Sequence, residues 1–224
     1  MIPSGESSLS DKPSRILLVE DHAMFREQLA QLITQEFGLE VCGQTDNIRD
    51  ALTLARNQRP DMAIIDITLK GSSGLELLKD WKAQGAEFPT LVLSMHEESL
   101  YAERVLAAGG RGYITKHEKS ETLLKAIQRV LDGKTYLSES MMEHVVGKMA
   151  GRTAVVSPIE RLADRELEVF QLIGVGRTTR EIAETLHLGM TTVDTYRTRI
   201  KDKLGLSNGT ELMKFAAHWV TEGN

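Results

Sequence analysis

Met62-Ala63-Ile64-Ile65-Asp66-Ile67-Thr68-Leu69 is a short apolar run interrupted by a single carboxylate. A run of this kind reads as a strand buried on both faces of a parallel sheet, with its acid emerging at the C-terminal edge. In open α/β sheets ligands bind at that edge, which makes Asp66 the first candidate functional residue. Arg15-Ile-Leu-Leu-Val19 is a second strand of the same type and runs into Glu20-Asp21. Between the two lie a helical pattern over about 22–37 (Phe25, Leu29, Leu32 and Ile33 on one face), a strand near 41–45 and a helix across 51–57. After Asp66, Gly71 and Gly74 mark a loop, and Leu75, Leu78 and Trp81 form a helical stripe. The strand 90–94 follows Pro89, then come a helix over about 99–108, a stop at Gly109-Gly110, and the strand 112–115. An amphipathic helix through Leu123, Leu124, Ile127 and Leu131 ends at Gly133.

Five rounds of strand then helix predict an α/β, doubly wound, five-stranded parallel sheet. Glu20 and Asp21 follow its first strand, Asp66 ends the third, Ser94 the fourth, and Lys116 follows the fifth. All of these positions fall on one sheet edge, so residues distant in sequence converge there. Three carboxylates placed together repel one another, and hard, oxygen-seeking Mg²⁺ is their natural counter-ion. A lysine across such a pocket suits phosphoryl oxygens, and a serine hydroxyl can donate to another. A carboxylate can itself take the phosphoryl group, giving an acyl phosphate.

The whole chain has 224 residues, 41% hydrophobic and 26% charged, which allows two ordinary domains with real cores. Its net charge of −5 excludes a general affinity for nucleic acid, so any DNA binding requires a local basic patch. The one cysteine, Cys42, excludes an internal disulfide framework and reads as a small hydrophobe in a strand. No apolar run approaches the roughly 18 residues of a membrane span. Residues 1–14 are polar, with Pro3, Gly5 and Pro13, and lack the apolar centre of a signal peptide, so a disordered tail and a cytoplasmic protein are expected.

Residues 15–132 resemble the receiver domain of two-component response regulators, a flavodoxin-like fold. The matching pieces are Leu-Val-Glu20-Asp21-His, Ile-Ile-Asp66-Ile with Gly-Leu-Glu-Leu after it, Leu-Ser94-Met-His and Gly-Tyr113-Ile-Thr-Lys116. The resemblance implies that Asp66 is the phosphoacceptor and that Glu20, Asp21, Asp66 and the Thr68 carbonyl hold Mg²⁺. It implies Ser94 and Lys116 as phosphoryl ligands and Tyr113 as the aromatic switch residue. Thr68 and His96 occupy positions that tune the phosphoryl lifetime in this family. One departure is Lys70, where the family usually has a proline.

The pattern fades over 133–157, read as a linker with one weak helical stripe through Met141, Val145 and Met149. From 158 to 224 the chain reads as an all-α helix-turn-helix domain. Leu162 and Leu167 are spaced as a hydrophobic staple, and Thr178-Thr-Arg-Glu181 as a capping box. A turn at His187-Leu-Gly189-Met leads to a helix from about Thr191, buried through Val193, Tyr196 or its neighbour, Ile200 and Leu204. Its other face carries Asp194, Thr195, Arg197, Thr198 and Lys201, with Arg199 and Lys203 flanking. Six Lys/Arg against four Asp/Glu between Arg177 and Lys203 make this the local basic patch, within a domain that totals nine against ten. Such a helix enters the DNA major groove, its basic residues meeting phosphates and its first turns reading bases.

Residues 162–220 resemble the LuxR-type DNA-binding domain through Arg165-Glu166-Leu-Glu-Val, Glu181-Ile-Ala-Glu-Thr-Leu, Thr192-Val193-Asp-Thr-Tyr-Arg197 and Lys203-Leu-Gly-Leu. With the receiver, this is the pattern of NarL/FixJ-type response regulators. The resemblance implies base-facing Asp194, Thr195 and Thr198, with Thr192 beside them, and a final helix over about 210–220 as the dimerisation surface. Ala163 stands where a capping Ser or Thr is common, so Asp164 is expected to cap. Gly189 replaces a serine, and Gly209 replaces an arginine. The expected function is transcription regulation by a homodimer whose DNA binding is controlled by phosphorylation from a sensor histidine kinase, with RNA polymerase as a further partner and no membrane association. Two other readings start from the same residues. One is a Mg²⁺-dependent aspartyl-phosphate phosphohydrolase, against which Thr68 stands where a second aspartate is wanted. The other is a DNA-binding regulator that ignores phosphate and answers to protein partners.

Overall fold

The computed structural model describes residues 12–150 and 157–222. The tail expected over 1–14 therefore lies mostly outside the described residues, and Ser14 already belongs to the first strand. Seven strands and ten α-helices follow in order: β1 (Ser14–Val19), α1 (Ala23–Gln35), β2 (Leu39–Thr45), α2 (Ile48–Gln58), β3 (Met62–Ile65), β4 (Thr68–Leu69), β5 (Ser72–Ser73), α3 (Gly74–Ala83), β6 (Thr90–Ser94), α4 (Glu98–Ala108), β7 (Gly112–Thr115), α5 (Ser120–Leu131), α6 (Glu139–Met149), α7 (Asp164–Gly174), α8 (Thr179–Thr185), α9 (Met190–Leu204) and α10 (Gly209–Glu222). They form two compact units. Of the described residues, 12–66 with 78–137 form one, and 67–77 with 138–150 and 157–222 form the other.

The first unit is a five-stranded sheet of order β2-β1-β3-β6-β7, parallel throughout. The order reverses beside β1, and the C-terminal ends of β1 and β3 flank that switch point. Ile16, Leu18, Met62, Ile64, Leu91, Leu93 and Ile114 pack with Leu29 and Ile33 of α1 and with Leu123, Ala126, Ile127 and Val130 of α5. Burial of the strands on both faces explains their unbroken apolar runs. Strand β2 carries a bulge opposite Ile16 and Leu17, where Val41 and Gly43 are paired and Cys42 is passed over. Cys42 is half-buried, and burial pushes its thiol up, which keeps it protonated and unreactive.

In the second unit β4 and β5 form a two-stranded hairpin, with Lys70 exposed and Gly71 at φ +69° in its tip. The left-handed conformation at Gly71 favours glycine, so the loop read from Gly71 and Gly74 is a defined turn. Linker residues 139–149 form α6, capped by Ser138, whose hydroxyl accepts from the Met141 N–H at 3.2 Å. Leu162 and Leu167, spaced as a staple, are both buried. Helix α7 begins at Asp164 with Ala163 at the N-cap; the Glu166 carboxylate accepts from the Ala163 N–H at 2.7 Å. The reach-back to the N-cap backbone thus comes from Glu166, which corrects the expectation that Asp164 caps. Gly174 ends α7 directly against α10: a Cβ there would lie 2.6 Å from the Ala216 carbonyl oxygen and 2.5 Å from Val220 Cγ2.

A charged cluster is buried in this second unit. Glu168 is fully buried, accepts from Ser73 Oγ at 3.0 Å and pairs with the Arg165 guanidinium. Burial pushes the Glu168 carboxyl up to about 7, with Arg165 and Ser73 opposing the rise. An unfolded glutamate ionises near 4.5, so the folded chain holds a proton that the unfolded chain has lost between those values. Stability from this site is therefore fully present below about 4.5 and is lost as pH rises through about 7, by on the order of 3 kcal/mol. Glu168→Gln is expected to remove that part of the slope. Urea melts at pH 5 and pH 8 check this, the wild type losing more stability than the variant over the interval.

Candidate functional site

The parallel register places the expected pocket residues at one end of the sheet. Asp66 extends β3, its N–H donating to the Val19 carbonyl at 2.9 Å, and the Glu20 N–H donates to the Thr45 carbonyl at 3.0 Å. The Lys116 N–H donates to the Ser94 carbonyl at 2.8 Å. These backbone bonds fix where each side chain starts. The Lys116 ammonium then stands 2.7 Å from Asp66 Oδ2 and 2.6 Å from Glu20 Oε2, the three side chains being 6%, 5% and 3% exposed.

Burial lowers the Lys116 ammonium, but the charges of Asp66 and Glu20 outweigh it and hold the group above its ordinary value. Glu20 is raised, first by burial and then by the Asp66 charge, with Lys116 opposing. The lysine is thus the counter-ion of a pocket that would otherwise confine two like charges. Asp21 lies beside it with a side chain 7% exposed, and its Oδ1 is buried without a hydrogen-bond partner. The exposed His22 ring is 3.2 Å from that oxygen but not aligned to donate. Glu20, Asp21 and His22 offer ligand atoms within 4.8 Å of one another. A buried carboxylate oxygen lacking a donor, in an oxygen-rich setting, fits a hard divalent cation.

Ser94 is fully buried at the end of β6, and its Oγ accepts from the His96 N–H at 3.4 Å. Tyr113 is also fully buried, its hydroxyl donating to the His96 carbonyl at 2.7 Å, and burial pushes the phenol up. The His96 ring stacks on Tyr101 with centroids 4.8 Å apart. His96 is half-buried and anchors Tyr113 through its backbone carbonyl. Thr68 lies in β4, two residues beyond Asp66.

Two features had no local sequence signal. The Lys116 ammonium sits over the Phe25 ring, 4.6 Å from its centroid. The Arg26 guanidinium donates to the Glu20 carbonyl at 2.5 Å, and the His22 N–H donates to Glu20 Oε1 at 3.0 Å, which ties the start of α1 to the pocket.

In the helix-turn-helix, Thr178 caps α8. Its hydroxyl accepts from the Glu181 N–H at 3.3 Å, while Glu181 accepts from the Thr178 N–H at 2.8 Å and is lowered by that bond. His187, at φ +52°, forms the turn, and Gly189 is the N-cap of α9. Val193 and Ile200 are buried, whereas Thr192, Asp194, Thr195, Thr198 and Arg199 are exposed, and Arg197 and Lys201 half-exposed. Thr195 and Thr198 hydroxyls donate to the carbonyls of Thr191 and Asp194. Lys203 is bound instead, its ammonium 2.6 Å from Glu166 Oε2. Among the described residues no helix is long and apolar enough to cross a membrane.

Comparison with known proteins fits this geometry. Residues 16–128 match the response regulator receiver domain, and residues 160–216 match the bacterial regulatory proteins of the luxR family. The virulence-factor transcription regulator BvgA of Bordetella pertussis is 34% identical over 204 residues, covering 91% of this chain and 96% of the relative. The response regulator GacA of Pseudomonas aeruginosa is 31% identical over 202 residues, covering 90% and 94%. The solved structure of a LuxR-family two-component response regulator from an Aurantimonas species is 29% identical, with a TM-score of 0.57 over 62% of this chain and 99% of that one. RcsB of Salmonella typhimurium, at 20% identity, shares the fold with a TM-score of 0.65 over 94% and 99%. The chain belongs to the two-component response regulators that join a receiver domain to a LuxR-type DNA-binding domain and regulate transcription.

Proposed function

We propose that Asp66 accepts a phosphoryl group from a sensor histidine kinase and that the acyl phosphate drives dimerisation and sequence-specific DNA binding. The observation that carries this reading is the buried Lys116 ammonium held between Asp66 and Glu20. A carboxylate oxygen of Asp66 attacks phosphorus, the phosphorus–nitrogen bond of the phosphohistidine breaks, and the imidazole leaves with the electron pair. Lys116 exchanges its carboxylate contact for a phosphoryl oxygen, and the Ser94 hydroxyl donates to another. Glu20, Asp21, Asp66 and the Thr68 carbonyl would hold Mg²⁺, which when bound offsets charge on the transferring group. Movement of Ser94 toward the phosphoryl group stabilises the inward Tyr113 and changes the surface around it.

On DNA, Arg197, Arg199, Lys201 and Lys203 meet phosphates, while Thr192, Asp194, Thr195 and Thr198 face base edges. Lys203 leaves Glu166 to do so. Helix α10 joins two copies, which lets two modest interfaces act together on paired half-sites. RcsB, which shares the fold, has been solved bound to a promoter in the presence of the phosphomimetic beryllofluoride, and this supports the scheme. RNA polymerase is the further partner, in a protein that works in the cytoplasm, whose only chemistry is its own phosphoryl transfer and slow loss of the group.

The test is incubation of the full chain with a small phosphodonor and Mg²⁺, then intact mass, sedimentation, and selection of bound sequences from random duplex DNA. Stoichiometric labelling with a monomer-to-dimer shift and tighter, sequence-selective binding is the expected result. An unlabelled chain that binds DNA equally with and without donor overturns it, as does multiple turnover of a generic phosphate ester.

A further inference from the structure

We propose that Phe25 is a positioning residue for Lys116, and that its ring keeps the ammonium in the pocket while the lysine exchanges carboxylate for phosphoryl oxygens. This rests on the reading of Asp66 as phosphoacceptor. The ammonium is almost wholly buried, with Glu20 Oε2 and Asp66 Oδ2 as charged contacts and the Phe25 ring face 4.6 Å from Nζ. An aromatic face attracts a cation through its quadrupole, most strongly where water is excluded. It differs from a carboxylate in one decisive way. It carries no lone pair or formal charge that a phosphoryl group or metal ion must displace, so it can stay in contact throughout the exchange.

The ring is also fixed with respect to the residue that Lys116 must leave. Phe25 lies in the first turn of α1, packed against the core formed by β1, β3, β6, β7 and α5. Its neighbours pin that turn to Glu20: the His22 N–H binds the side chain and Arg26 binds the carbonyl. Loosening of Lys116 from Glu20 therefore leaves the ring where it was. An aliphatic residue of similar bulk would fill the space without attracting the ammonium.

Full-length wild type, Phe25→Leu, Phe25→Tyr and Asp66→Asn are compared with acetyl phosphate at saturating Mg²⁺, alongside Tm and Mg²⁺ affinity. Phe25→Leu is expected to label roughly tenfold more slowly with the metal site saturated, to lose no more than a few degrees of Tm and to bind Mg²⁺ at least as tightly as wild type, and Phe25→Tyr to recover the wild-type rate within about twofold. In metal-free protein, the Lys116 Hε resonances should be shifted upfield by the ring in wild type and Phe25→Tyr, and not in Phe25→Leu. Wild-type speed in Phe25→Leu, equal slowing in Phe25→Tyr, or unshifted Lys116 resonances in wild type each overturn the proposal. Absence of label on wild type instead defeats the parent reading, and the resonance comparison, which needs no phosphate, still decides whether the ring holds the lysine.

Discussion

Asp66→Asn is expected to remain monomeric in beryllofluoride plus Mg²⁺ and to take no label from acetyl phosphate, while wild type does both. The amide lacks the anionic oxygen that attacks phosphorus or binds beryllium, so the loss is complete rather than graded. The variant should still fold, because asparagine keeps the shape and the backbone N–H that donates to the Val19 carbonyl. It gives up the charge facing Lys116, which retains Glu20 at 2.6 Å. Sedimentation velocity with and without the mimic reads the result. Dimerisation of the variant at the wild-type mimic concentration would mean that the trigger lies elsewhere.

Lys116→Met separates the two roles of the lysine. Without the ammonium, Glu20 and Asp66 face each other in a pocket that excludes water, beside Asp21 with its unpartnered oxygen. Removal of one member of a buried charged cluster typically costs about 3 kcal/mol or more, so the metal-free variant should unfold at markedly lower urea. The same excess negative charge should tighten Mg²⁺ binding by about tenfold, because the ion no longer competes with a resident cation. Added Mg²⁺ should therefore restore most of the lost stability. Phosphorylation should nevertheless fail to drive dimerisation, since nothing replaces the lysine on the phosphoryl oxygens. Calorimetric Mg²⁺ titration and urea melts at zero and saturating Mg²⁺ measure both parts. Weaker Mg²⁺ binding in Lys116→Met would show that the lysine is not the pocket's resident counter-ion.

Much of this architecture was legible because two periodicities carry it. Apolar runs at 15–19, 62–65, 90–94 and 112–115 can be satisfied only inside a covered sheet, and the residues that follow them must then share one edge. The capping box at Thr178 was readable because it is a local exchange over three residues. Long-range partnerships were not readable. Nothing near Phe25 indicates that its ring lies under a lysine from the other end of the receiver sequence. Arg165, Glu166 and Glu168 have the composition of a solvated helix face, yet all three are buried because Arg165 and Glu168 pair and Ser73 and Lys203 arrive from elsewhere. Lys70 announced a departure from the usual loop, but only pairing of Thr68 with Ser73 turns that loop into a hairpin.

The missing side chain at Gly174 has a reach beyond its own contact. Helices α7 and α10 meet there with the Gly174 backbone against the Ala216 backbone and the Val220 side chain, with no room for a methyl group. In the dimer proposed through α10, this crossing would set how far the two-fold axis lies from each recognition helix, and the distance between half-sites would be measured out from that point. Were the chain to pair through α10 as proposed, the hydrogen atom at position 174 would be one of the terms in the spacing of the operator.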